Sequence, residues 1–125
     1  MAGKPNTGGL VMFNRTDNGN VKPRANIEGP KTGIIRINQM QSYPPKGWII
    51  VTHPGGGGLL QPENTFIGIW SVDDNGDVAP RWKLQGPNSR LELPNAVGLD
   101  PKHKELLVAD KRLNAILIFY VPEIF

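Results

Sequence analysis

The sequence predicts an all-β fold of short antiparallel strands. Three observations carry this. Apolar runs, such as residues 115–121, are short and bounded by turn residues. Fifteen glycines and twelve prolines, 27 of 125 residues, leave no 3.6-residue apolar stripe intact, so no helix is expected. A stretch of the chain recurs further along it, as an internal repeat.

Strands are expected near 10–15, 21–28, 34–40, 47–53, 66–72, 78–85, 95–99, 105–110 and 115–121. The first two flank Asp17, Asn18, Gly19 and Asn20, and the pair at 66–72 and 78–85 flanks Asp74, Asn75, Gly76 and Asp77. Asn-Gly tolerates the positive φ that a tight hairpin turn needs, so both are read as hairpins. Gly29-Pro30 and Gly86-Pro87 close the strands that follow these turns. The strands at 95–99 and 105–110 are joined by a turn through Asp100, Pro101, Lys102, His103 and Lys104. Residues 106–109 are continuously apolar, as expected of a strand covered on both faces.

The repeat sets the organisation. At an offset of 57, residues 10–53 match 67–110 at 11 of 44 positions. Chance identity over that length is roughly two or three positions. The identities are Asp17/Asp74, Asn18/Asn75, Gly19/Gly76, Val21/Val78, Pro23/Pro80, Arg24/Arg81, Gly29/Gly86, Pro30/Pro87, Asn38/Asn95, Pro44/Pro101 and Val51/Val108. Later, Ile69-Trp70 matches Ile118-Phe119 at an offset of 49, so the first copy carries 8 extra residues. They fall within 54–65, which holds Gly55, Gly56, Gly57 and Gly58, and read as a surface loop insertion.

Four short antiparallel strands per repeat of about 50 residues fit a β-propeller blade. The segment Leu93-Pro94-Asn95-Ala96-Val97-Gly98-Leu99-Asp100-Pro101, then Glu105 to Asp110, then Asn114 to Phe119, resembles an NHL-type blade. The earlier copy resembles it more loosely, with His53 where the later one has Asp110. The resemblance spans about 10–121. It implies an incomplete ring: the outer half of one blade at 10–33, a full blade at 34–85 and the next blade at 94–125. Residues 1–9 are expected to be a flexible N-terminal segment. Many NHL-like bacterial propellers are secreted or periplasmic, which implies such a compartment, although no basic segment followed by an apolar one opens this sequence.

Composition narrows the chemistry. Cysteine is absent, which excludes disulfides, thiolate nucleophiles and Cys-ligated metal. A net charge of +3 without a basic stripe argues against a nucleic-acid partner. No apolar run approaches the ~20 residues of a membrane helix. Asp73, Asp74, Asn75 and Asp77 lack the glycine and glutamate spacing of a calcium loop and read as a turn. Gly55 to Gly58 is not followed by the residues of a phosphate loop. His103 reads as a solvated turn residue, and His53 as the local hydrogen-bonding equivalent of Asp110. Phe13, Trp70 and Phe119 are repeat-equivalent and read as core between blades, along with Trp48 and Trp82. Lys31, Lys102, Lys104, Lys111 and Arg112 read as solvated surface.

The leading expectation is a non-enzymatic interaction or structural module, which either completes a homo-oligomer or larger complex with other protein chains or is part of a longer propeller. Open blade edges favour this, because unpaired strands offer main-chain hydrogen bonds to a partner. The expected interaction residues are Ile116, Ile118 and Tyr120 on the last strand, and Phe125 beyond it. Two alternatives follow from the resemblance. In one, the chain is part of a metal-dependent lactonase-like hydrolase, with Asn38 and Asn95 as channel-mouth ligands of calcium or a similar divalent ion. In the other, it is a ligand-binding propeller with residues 55–62 as a lid. No cofactor is otherwise expected.

Overall fold

The computed structural model describes residues 8–55 and 64–125. Expectations for residues 1–7 and for the insertion at 56–63, the lid reading included, lie outside the described residues. The strands are β1 (Gly9–Met12), β2 (Ala25–Glu28), β3 (Gln39–Tyr43), β4 (Trp48–His53), β5 (Phe66–Ser71), β6 (Trp82–Gln85), β7 (Pro94–Asp100), β8 (Glu105–Asp110) and β9 (Ala115–Tyr120). They form three antiparallel sheets of two, four and three strands, ordered β1-β2, β3-β4-β5-β6 and β7-β8-β9. Among the described residues the sheets do not close a ring, and there is no α-helix.

The repeat is a repeat of structure. β2 and β6 coincide at the offset of 57, as do β4 and β8. β5 and β9 coincide at the offset of 49. Short 3-10 turns at Pro30–Thr32 and Pro87–Ser89 also correspond. Each is closed the same way: the Thr32 hydroxyl donates to Gly29 O at 2.7 Å, and the Ser89 hydroxyl to Gly86 O at 2.6 Å.

The Asp-Asn-Gly segments are not tight hairpin turns. The partner strands begin at Ala25 and Trp82, four residues later than expected at each site. Asp17 and Asp74 instead fold back on the preceding strand end, accepting from Asn14 N–H and Ser71 N–H, both at 2.8 Å. Gly19 and Gly76 do take positive φ, at 79° and 85°. The second segment then clasps the first sheet: Asn75 Oδ1 accepts from Asn26 N–H at 3.0 Å, and Asp77 Oδ1 from Lys31 N–H at 2.8 Å. The expected strand at 34–40 likewise starts late, at Gln39. Ile34 is buried under the first sheet and the N–H groups of Ile35 and Arg36 are taken by His53, so this stretch has no ladder to join.

Alternation along the central sheet sends apolar side chains to both faces. Ile49, Val51, Phe66 and Trp70 pack with Leu10, Ile27 and Ile34 of the first repeat copy. Ile50, Ile67 and Ile69 pack with Val97, Leu106 and Val108 of the third sheet. Gly68 lies between Phe66 and Trp70 on one face of β5. A Cβ there would fall 2.6 Å from the Trp70 ring and 2.9 Å from Phe66, so only glycine lets both rings occupy that face. Polar ties cross to the third sheet as well: Gln39 Oε1 accepts from Val97 N–H at 2.7 Å. A Gly68→Ala substitution is therefore expected to lower unfolding stability by about 1–3 kcal/mol through overpacking, read as a shift in urea midpoint.

Candidate interaction surface

Among the described residues β9 pairs with β8 on one side only, whereas its repeat equivalent β5 is paired on both. From Ile116 to Tyr120 its side chains divide by parity. Leu117 and Phe119 face the core against the central sheet. Ile116, Ile118 and Tyr120 lie on the opposite face and are exposed. Three of the four expected interaction residues thus form one row beside an unpaired edge.

Phe125 does not join them. After β9 the chain turns inward through Pro122–Ile124, Ile124 is buried, and Trp48 Nε1–H donates to Ile124 O at 2.8 Å. Phe125 then meets Tyr43 edge to face at 5.1 Å. Burying these side chains draws the tail onto the central sheet, away from any neighbour.

A second exposed apolar patch lies at the other end of the molecule. Val11 and Phe13 project from the outer side of the first sheet; Met40 of β3 is exposed separately, on the face of the central sheet that looks towards the first. Phe13 departs from the core expectation drawn from its equivalence with Trp70 and Phe119. The reason is positional: no described sheet lies on that side of β1. Met40 pairs with Val51 and so shares its face, but β1 and β2 leave the space opposite β3 uncovered. The repeat offsets alone could have located Val11 and Phe13, because they give which face each residue occupies.

The two asparagines expected as metal ligands, Asn38 and Asn95, lie at the junction of the central and third sheets. The Asn38 amide N–H donates to Pro94 O at 3.0 Å, tying two sheets together. Asn95 is exposed, and its backbone carbonyl accepts from the Thr52 hydroxyl at 3.2 Å. Among the described residues, Asp100, His103 and Glu105 bring ligand atoms within 4.8 Å of one another, at the far end of β7 from Asn95. Within that group His103 Nδ1 pairs with Asp100 Oδ2 at 2.8 Å. Shallow depressions on the described surface include ones of about 370, 270 and 280 Å³. The 370 Å³ one is lined by Phe13, Asp17, Asn18, Gly19 and Val21, in the exposed β1–β2 connection.

Asp110 and His53 perform one task in two chemistries. The buried Asp110 carboxylate accepts from four backbone N–H groups: Glu92 and Leu93 at 2.8 and 2.9 Å, Arg112 and Leu113 at 3.1 and 3.0 Å. His53 Nε2 accepts from Ile35 and Arg36 N–H at 2.8 and 3.4 Å, the residues equivalent to Glu92 and Leu93. That fixes Nε2 as the acceptor, so Nδ1–H donates to Asn64 O at 2.7 Å. The ring stacks on Phe66 at 4.5 Å.

Burial, with weaker repulsion from Lys83 and Arg36, holds the His53 pKa below its usual value of 6.5, against the pull of the Asn64 hydrogen bond. The exposed His103 is shifted upward by its hydrogen bond and charge pairing with Asp100. The Arg81 guanidinium, 2.7 Å from Asp74, lowers that carboxyl.

No family model, no curated protein and no solved structure matches the chain. The geometry therefore stands by itself: two exposed apolar patches, one at each end of a stack of sheets.

The two histidines are expected to titrate on opposite sides of 6.5, His53 below and His103 above, in an NMR pH series. Because the folded His53 pKa is lowered, its contribution to stability is complete above 6.5 and falls as pH drops from there towards the folded value. A His53→Gln variant should lose that part of the acid dependence of the melting temperature.

Proposed function

We propose that the chain is a non-enzymatic interaction module built from NHL-like propeller blades, which completes a larger assembly with other protein chains. One observation carries this reading. Among the described residues β9 keeps a free edge and an exposed row of Ile116, Ile118 and Tyr120, while the equivalent β5 is paired on both sides and buried on both faces. An edge of this kind is a template for another strand, and monomers rarely leave one open. Contiguous exposed apolar side chains beside it mark the same place. In the blade reading, the two-stranded first sheet is an outer half, the central sheet a full blade and the third sheet a blade without its outer strand.

The reading is tested by native mass and amide hydrogen exchange over a dilution series. We expect a discrete species at a multiple of 13.7 kDa, with β9 amides that become protected as concentration rises. A monomer whose β9 amides exchange equally fast at every concentration would overturn it.

A further inference from the structure

The three sheets are stacked in a fixed direction, and the repeat gives each residue a facing. Leu10, Ile67 and Ile116 are equivalent, as are Met12, Ile69 and Ile118. These look towards the following sheet. Phe13, Trp70 and Phe119 are also equivalent, and look towards the preceding one. Each contact inside the chain obeys one rule: an aliphatic pair of one sheet is covered by the sheet that carries the next aromatic. Leu10 and Met12 share a cluster with Trp70. Ile67 and Ile69 share a cluster with Phe119.

Among the described residues the rule fails only at the two outer sheets. Ile67 and Ile69 are both 0% exposed, but Ile116 and Ile118 are 65% and 58% exposed. Trp70 is 0% exposed, but Phe13 is 52% exposed. One end lacks an aromatic-bearing sheet above its aliphatic pair. The other lacks an aliphatic pair beneath its aromatic. The chain carries both halves of the missing contact.

We propose that copies of this chain associate head to tail, the Ile116–Ile118–Tyr120 face of one copy packing on the Val11–Phe13 face of the next. This rests on the interaction-module reading and names its partner as a second copy. The contact continues the sheet stacking already present twice within each chain. It is heterologous, joining unlike patches, so it closes into a ring or extends according to the rotation between copies. Exchange of β9 between copies is not the route. That strand is paired with β8 along its whole length, and the tail behind it is pinned by Ile124 and Trp48.

The test uses two variants of the full chain, Ile118→Glu and Phe13→Glu, with Ile116→Lys as a second variant of the first end. All three sites are exposed, so circular dichroism and melting curves should match those of the parent. In light scattering at equal concentrations the parent is expected to form multimers. Each variant alone should associate about 10-fold more weakly or worse, because a charge is buried in the contact. Mixing Ile118→Glu with Phe13→Glu should restore a species of twice the monomer mass, since each supplies the intact face the other lacks. A parent that stays monomeric overturns both this proposal and the module reading. Association abolished by Ile118→Glu but untouched by Phe13→Glu overturns the head-to-tail contact and leaves the module reading standing. Failure of the mixed variants to recombine also overturns it.

Discussion

The structure depends on one constraint: the central sheet is apolar on both faces and must be covered on both. Ile49, Val51, Phe66 and Trp70 need one neighbour, and Ile50, Ile67 and Ile69 need another. Each such side chain removed from water contributes roughly 1.5–3 kcal/mol. A two-stranded hairpin has little stability of its own. β1 and β2 hold because they cover Phe66 and Trp70, and because Asn75, Gly76 and Asp77 clasp them from the central sheet. Stacking, rather than any single sheet, is the unit of stability here.

That constraint also explains which parts of the fold were legible in the sequence. The offsets of 57 and 49 place β2 onto β6, β4 onto β8 and β5 onto β9, because side chains at equivalent positions meet equivalent neighbours. The sheets of two, four and three strands follow from this counting. The connections were less legible. Asp-Asn-Gly has the composition of a tight turn, but its carboxylate caps the preceding strand and its glycine N–H, at Gly76, donates to Asn26 O at 2.8 Å. A partner 50 residues away cannot be read from a tetrapeptide. The late start of β3 has a similar cause, since Ile35 and Arg36 are claimed by a histidine 17 or 18 residues downstream.

The surface shows the same division. The exposure of Ile116, Ile118 and Tyr120 is legible from their alternation along one strand, which puts all three on one face. The place of Phe125 is not legible, because nothing in an apolar residue after a proline-containing turn tells that the tail folds back onto Tyr43. Phe13 is legible only in part. Repeat equivalence gives the facing of a residue correctly, but its burial depends on whether a neighbour exists on that side.

His53 has a further consequence for the chain that follows it. Its Nδ1–H reaches Asn64 O, and the Thr65 hydroxyl reaches Pro54 O at 3.3 Å, so both ends of the 54–65 excursion are buttoned together at its base. β4 and β5 continue from that button in register, His53 opposite Phe66. What is spliced between the two ends then costs only the slow logarithmic entropy of a longer loop. The base acts as a socket: peptides of different length could be grafted there, leaving the strands on either side in place.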